Sequence, residues 1–475
     1  MIEKICVPEC YKDFHCIDVE CTDSCCAGWQ VDVDEQAYEE YKNVPGEFGE
    51  YIRSVMIEEG DCGGEKAQFR LRQDGRCPFL MDNGLCDMYA HLGEDSLCHT
   101  CTNFPRYMED YGTMREMGIG FSCPEASRLM LSTEQKMEYV EMTLEPNENL
   151  NAETISVAQA QTISGMPREK KEWEAIAKDV MNRTRRKDIV NAKNSNEPQE
   201  IFQKAYYQIL NTCRNTAFDI VTNRELSVKE RALLYFDYGV CLQDVLDHAR
   251  VSDGVADVNL SKDFRDSMLA FAQQYKETAF LKERCQILQK QVKDMPADHE
   301  AFTLYGDPVA KEEMAYALLP EYAAVIYQEL HHCKPQWAIL LDEAEQVLHK
   351  QMTPAEYAKC YQEFDIYYSK QMYEYEHLLN YFVFRYFLKS YFDDDVYGKV
   401  KIGVMGYLMV KELAVCQWVK QGRVFTKQDQ IELFHLYARE LEHSDENYEM
   451  FYEALQTEDF CNWEHMKALL CEQLG

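Results

Sequence analysis

The chain has 475 residues, enough for two or three domains of ordinary size, and its hydrophobic content of 46% excludes an intrinsically disordered protein. The formal net charge of −34 repels nucleic acid and anionic membrane, so neither is expected as a partner. A cationic protein segment suits such a surface, although acidity also serves plain solubility.

The opening residues, Met1 to Phe14, are interrupted by charges and lack the apolar core of a secretory leader. The stretch that comes nearest to a spanning helix, Leu378 to Phe392, carries Arg385 and Lys389. A cytoplasmic chain with reduced thiols is therefore expected.

Residues 1–131 hold 12 of the 20 cysteines and 12 of the 21 glycines. Cys16, Cys21, Cys25 and Cys26 read C-x4-C-x3-C-C. Cys62, Cys77 and Cys86 follow, then Cys98 and Cys101 in CHTC, then Cys123 before Pro124. A strand is expected over Ala67 to Leu71, with turns at Gln73-Asp74-Gly75 and Asp82-Asn83-Gly84, giving short hairpins that carry Cys77 and Cys86. Helices are expected to begin near Asp34 and near Pro124, since proline suits a first helical turn.

Residues 132–198 read as an exposed connection. Leu144 to Ser164 is polar without clear periodicity, and Arg168 to Asn196 is charged and locally basic. From 199 to 475, apolar residues recur at steps of three and four, beginning with Ile201, Ala205, Ile209 and Cys213. Further helical segments are Val228 to Ala249, Lys262 to Lys290, Pro308 to His331, Trp337 to Leu348, Pro354 to Tyr368, Tyr373 to Phe392, Lys401 to Val419, Thr426 to His443 and Asn447 to Leu455. The expected fold is mainly α: a small irregular cysteine-cluster domain with short hairpins, followed by a large all-helical domain.

Twenty cysteines in a reducing compartment favour metal ligation over disulfides. Four thiolates from loops and turns suit either a structural zinc ion or a cubane iron–sulfur cluster, and the spacing leaves both open. Some of these cysteines are expected to be buried packing residues instead. Cys6, Cys10 and Cys62 look peripheral, and the single cysteines from Cys213 to Cys471 are expected as packing residues. The C-x3-C-x2-C pattern of radical chemistry on S-adenosylmethionine fails, because its third position is Gly28.

Three pieces resemble the flagellin lysine-N-methylase family: CTDSCCAGWQVDVDE (21–35), CPFLMDNGLCDMYAHLGEDSLCHTCTNFPR (77–106) and SCPEASRLML (122–131). The first part also resembles a wider group of cysteine-cluster proteins described as zinc or iron chelating. Weaker similarity continues at YEYEHLLNYFVFRYFLK (373–389) and ARELEH (438–443). The resemblance implies methyl transfer from S-adenosylmethionine to lysine side chains of flagellin. It also implies a cysteine-bound iron–sulfur cluster of the 4Fe-4S type, with zinc as the alternative. Carried over by position, its cysteines fall on Cys16, Cys21, Cys25, Cys26, Cys77, Cys86, Cys101 and Cys123, and the metal ligands are expected among the last seven. Cys98 stands where other members have serine.

A methyltransferase must receive its lysine neutral and aligned with the sulfonium methyl. No glycine-rich loop of the doubly wound type is present, Gly118-Ile119-Gly120 being too short a match. The candidate wall is the helix from Tyr373, where Glu374, His377, Tyr381 and Arg385 share one face of an otherwise apolar helix. That stripe reads either as a substrate or cofactor wall or as an internal ion-pair network. Arg439, Glu442 and His443 face it or cap their own helix. The rival functions are a non-enzymatic iron–sulfur or zinc protein that docks a partner, and a redox sensor using exposed thiolates.

Overall fold

A computed structural model describes residues 2–17, 20–28, 31–58, 67–146, 155–183, 197–253, 262–304, 307–330, 335–442, 444–457 and 461–472. Cys62, Cys333 and His443 lie outside them. The chain is mainly helical, with a strand-bearing N-terminal region, as expected.

Strands β1 (Lys4–Pro8), β2 (Val31–Val33), β3 (Met56–Ile57), β4 (Ala67–Phe69), β5 (Arg106–Tyr111), β6 (Met114–Ile119), β7 (Tyr139–Leu144) and β8 (Val157–Thr162) form two sheets. The larger has the order β5-β6-β1-β7-β8, antiparallel except where β1 runs parallel to β6. Its centre is β1, whose Ile5, Cys6 and Val7 are all buried, as suits a strand covered on both faces. The smaller sheet, β2-β4-β3, belongs to the cysteine region.

Two findings revise the sequence reading. The segment 132–198, expected as an exposed connection, supplies β7, β8 and the helix Lys170–Asn182, whose Trp173 is fully buried. Its strands look polar because they alternate: Tyr139, Val140, Met142 and Leu144 are buried while their neighbours carry the polar face. The apolar side chains also divide differently from the cysteine count. β1 and the stretch from β5 through Met130 share one core with the helices, whereas the cysteine lobe keeps its own core from Val31 to Cys98, flanked by Cys26, Cys86 and Cys101.

A buried ion pair fixes the sheet to the helices. Arg214, on the helix Glu197–Val221, donates to both carboxylate oxygens of Glu116 in β6 at 2.6 Å each. Tyr139 of β7 donates to the side-chain oxygen of Asn380 at 2.6 Å.

The helical region centres on Val396–Lys420, packed against Val228–Asp253, Tyr373–Tyr386 and Lys427–Leu441. Among the described residues it is the one helix long and apolar enough to cross a membrane, and 89% of its apolar window is buried inside the protein. Two of the expected helical runs are interrupted. Lys262 to Lys290 breaks at Tyr275-Lys276-Glu277 into Lys262–Gln274 and Thr278–Asp294, and the 373 run tightens at Phe387–Lys389. A last helix, Trp463–Glu472, has no counterpart in the sequence reading.

Gly406 lets the central helix approach its neighbours. A Cβ there would lie 2.6 Å from the Phe382 ring and 2.7 Å from the Tyr437 hydroxyl oxygen. Gly406→Ala is expected to lower stability by about 1–3 kcal/mol through overpacking, measured by urea unfolding.

Burial raises the Glu472 carboxyl, which accepts from the Ala315 N–H, from its ordinary 4.5 to about 7. An acid of this kind holds its proton more tightly in the folded chain. Folded stability therefore falls as pH rises from 4.5 to 7. Relative to the parent, Glu472→Gln is expected to gain on the order of 1–3 kcal/mol above pH 7. Below pH 4.5 the difference is expected to vanish in the same unfolding assay.

Candidate functional site

The cysteines gather where three turns meet. Gly28 and Gly75 take left-handed backbone conformations, at φ 82° and 76°, which suit glycine. These turns lay residues 26–28 antiparallel to 75–77: Gly28 N–H donates to Gly75 at 2.9 Å and Cys77 N–H to the Cys26 carbonyl at 2.8 Å. Gly84, at φ 83°, closes the expected Asp82-Asn83-Gly84 turn, and Leu80 pairs with Cys86. Cys26, Cys77 and Cys86 thus stand on three adjacent strands of chain.

Three other elements start on a cysteine. Cys86 precedes the helix Asp87–Leu92, Cys98 precedes His99–Asn103, and Cys123 precedes Pro124–Met130. The second of these is fixed by Asp34. Its carboxylate caps Glu35–Lys42 through the Ala37 N–H at 3.1 Å and accepts from the His99 N–H at 2.8 Å.

The thiols sense one another electrically. Cys26 is raised by Cys25, Cys77 and Cys86, Cys77 by Cys86 and Cys98, and Cys123 by Cys21 and Cys25. Cys101 is raised first by its contact with Cys98, then by burial, then by Cys26 and Cys77. Burial pushes Cys77 up to about 11 and Cys123 to about 12. Backbone N–H groups oppose that penalty: Asp23 for Cys21, Phe79 for Cys77, Met88 and Tyr89 for Cys86, Glu125 and Ala126 for Cys123. Amides directed at sulfur favour the thiolate, the form that binds metal. Cys25 is the exception, lowered to about 7 by its contact with Cys26 at 4.0 Å and by the nearby Arg439 guanidinium.

All seven cysteines expected as ligands belong to this neighbourhood, and Cys98 joins them, buried against Cys101. Cys16 is exposed and Cys6 packs inside β1. Cys213, Cys285, Cys360, Cys416 and Cys461 are buried in the helical core, as expected of packing residues. Among the described residues, no three His, Cys, Asp or Glu side chains stand in the arrangement of a metal cage. Thiols with backbone amides beside them are the donor type that iron–sulfur and zinc centres use.

The helix Lys427–Leu441 grips the cysteine loop from the other side. His435 Nε2 lies 2.9 Å from Asp23 Oδ2. Arg439 donates to the Ser24 carbonyl at 2.9 Å and to the Ala27 carbonyl, and its Nε lies 3.9 Å from Asp23. Both side chains are about 1–2% exposed. The next turn carries Glu442, which accepts from Tyr381 at 2.6 Å and Tyr386 at 2.7 Å. Burial raises its carboxyl, and Arg385 beside it acts in the opposite direction.

The polar stripe is therefore divided. Tyr381 and Arg385 meet Glu442, and Arg385 lies 3.7 Å over the Tyr107 ring. Tyr381 also packs edge-on against Phe121, two residues from Cys123. Glu374 accepts instead from Tyr368 at 2.6 Å, and His377 places its ring nitrogens 3.0 and 2.9 Å from the Met130 and Gln135 carbonyls. Sequence reasoning missed Asp23 and His435, whose pairing spans 412 positions, and Glu376, which holds Arg224 and Arg231. The charges of Glu376 and Arg231 on otherwise apolar helix faces, with Arg224 in the turn before Val228, were the available signal.

Arg439→Gln is expected to leave two loop carbonyls without their donor. Amide hydrogen exchange should then speed up by at least tenfold across residues 21–28 while β1 and β6 keep their protection. Unchanged exchange in that loop would show that the clamp is dispensable.

Residues 214–469, more than half of the chain, match the family of the FliB lysine N-methylase C-terminal domain. A lysine-N-methylase of Salmonella typhimurium (strain LT2) is 27% identical over 136 residues, 28% of this chain and 33% of the relative. One from Salmonella choleraesuis is 27% identical over 142 residues, 29% and 35%. The flagellar biosynthetic protein FliU of Salmonella muenchen is 27% identical over 135 residues, 27% of this chain and 78% of FliU. The aligned part thus spans about a third of the two lysine-N-methylases, and no solved structure matches. On the match across its helical region, the chain belongs to the FliB lysine N-methylase family.

Proposed function

We propose that the chain is a cytoplasmic protein-lysine methyltransferase that uses S-adenosylmethionine and acts on flagellin, with an iron–sulfur cluster held by its thiols. The observation that supports this reading is that Cys21, Cys25, Cys26, Cys77, Cys86, Cys98, Cys101 and Cys123 lie as electrostatic neighbours, in a member of a family described as lysine N-methylases. Four of these would ligate the cluster and the remainder would pack around it. Bound there, a 4Fe-4S cluster supplies a redox-active iron centre, whereas zinc would supply a structural staple.

The chain's own residues support the site in three ways. His435 and Arg439 hold the Asp23–Ala27 turn, in which the Cys26 carbonyl accepts from the Cys77 N–H while Cys25 stays exposed. Tyr381 and Tyr386 donate to Glu442 beneath Phe121 with the Arg385 guanidinium alongside, which makes them positioning residues for the wall behind Cys123. The acidic surface, net −34 over the chain, attracts a lysine-bearing segment. Burial beside these aromatic rings would favour the neutral amine that methyl transfer needs.

Anaerobically purified protein, incubated with flagellin and S-adenosylmethionine, is expected to add methyl-sized mass steps to flagellin lysines. Cys25→Ala and Cys101→Ala should each cut the rate at least a hundredfold. Capture of flagellin without any mass change would instead identify a docking protein.

A further inference from the structure

A second site lies in the helical region. A cleft of about 460 Å³ opens between the start of the helix Val228–Asp253, the end of Pro354–Tyr367, the start of Tyr373–Tyr386 and the central helix. That volume falls within the roughly 300–1,000 Å³ usual for small-molecule sites.

Its walls carry an unusual charge arrangement. Glu376 accepts from two guanidinium groups, Arg224 at 2.9 Å and Arg231 at 2.6 Å. Asp365 pairs with two ammonium groups, Lys229 at 2.5 Å and Lys411 at 2.8 Å. Each carboxylate thus holds two cations and each triad keeps a net charge of about +1. Counting every lining side chain, five Lys or Arg face three Asp or Glu, an excess of two positive charges. The chain as a whole is at −34, so the cleft opposes the sign of its surroundings.

Such an arrangement is costly to bury. Glu376, Arg231 and Lys411 are 1%, 5% and 1% exposed. Two like charges brought to one carboxylate repel each other, and only the outer cation of each triad, Arg224 at 44% and Lys229 at 19% exposed, reaches water that screens it. Burial lowers both Arg231 and Lys411, and the Arg224 charge beside Arg231 adds to the effect, while Glu376 and Asp365 act in the opposite direction. A ligand that brings the missing charge would relieve this. Guanidinium forks suit planar or tetrahedral oxyanions, which they hold by paired hydrogen bonds. The acceptor lysine carries the wrong sign for the cleft.

We propose that this cleft binds a small dianion, a phosphate monoester or a dicarboxylate, seated between the Arg224–Glu376–Arg231 and Lys229–Asp365–Lys411 triads. The site stands apart from the thiols and needs no part of the methylation reading.

The test uses the full chain. Binding of inorganic phosphate, adenosine monophosphate and succinate is measured by titration calorimetry and by thermal unfolding, with sodium chloride added to equal ionic strength. Saturable binding of one ligand per chain is expected from at least one probe below 1 mM, with a rise in melting temperature. Phosphate and the nucleotide against succinate separate the two sources of negative charge. The double variant Arg224→Gln, Lys229→Gln turns each triad into a balanced pair and leaves no buried charge alone. It should weaken binding at least tenfold with an unchanged circular dichroism spectrum. Arg224→Lys, which keeps charge but loses the fork, should fall between the two, and Lys350→Gln, outside the cleft, should bind as the parent does. Absence of saturable binding by all three probes, or parental affinity in the double variant, would overturn the proposal. Should the double variant unfold, Arg224→Lys decides: parental affinity overturns the site and weakened affinity supports it.

Discussion

The grip of one buried helix on one exposed loop organises this molecule. Arg439 and His435 leave an otherwise well-packed helix to hold the Asp23–Ala27 turn by its carbonyls and its carboxylate. Charged groups with so little exposure are stable only when paired, so the turn satisfies the helix as much as the helix fixes the turn. The cysteine lobe has its own small core and contributes little apolar surface to the larger one. These polar contacts therefore set where the thiols sit relative to the helical region.

From that clamp a continuous structure runs inward. Arg439 and Glu442 are one helical turn apart on the same face, so one element touches both the thiol loop and the Tyr381–Tyr386–Arg385 group. Phe121 links that group to Cys123, and Arg214 with Glu116 locks the sheet that carries Phe121 to the helices. The Asp23–Ala27 turn and Cys123 are thereby tied to one helical frame. The cationic cleft lies on another face of the same helical frame and draws on different residues.

Much of this was legible in the chain itself. Asp34 before an amphipathic run, Pro124 at a first helical turn and the Asp-Gly and Asn-Gly turns all folded as local chemistry dictates. The helical region followed its apolar spacing where a helix buries one face, as Lys262–Gln274 does, whereas Val396–Lys420 and Tyr373–Tyr386 are apolar and buried nearly all round. The sheet was less legible. Its central strand, Lys4–Pro8, runs parallel to a strand 110 residues later, and parallel pairing between distant segments leaves no local pattern. Strands β7 and β8 bury roughly every second residue, and the polar residues between made them read as a polar connection. The clamp shows the same limit. The sequence left Arg439 and Glu442 either facing the polar stripe or capping their own helix; Glu442 meets the stripe while Arg439 turns to the loop that carries Cys25 and Cys26. Spacing tells which residues share a face and is silent on what that face meets.

The central claim is that the N-terminal sulfurs converge on one inorganic centre, and X-ray absorption at the metal edge of anaerobically purified protein tests it most directly. The account predicts bound metal with a first shell made of sulfur alone, a shell that Cys26→Ala and Cys77→Ala deplete. Protein that carries no metal when handled without oxygen, or metal ringed by nitrogen and oxygen, would contradict it.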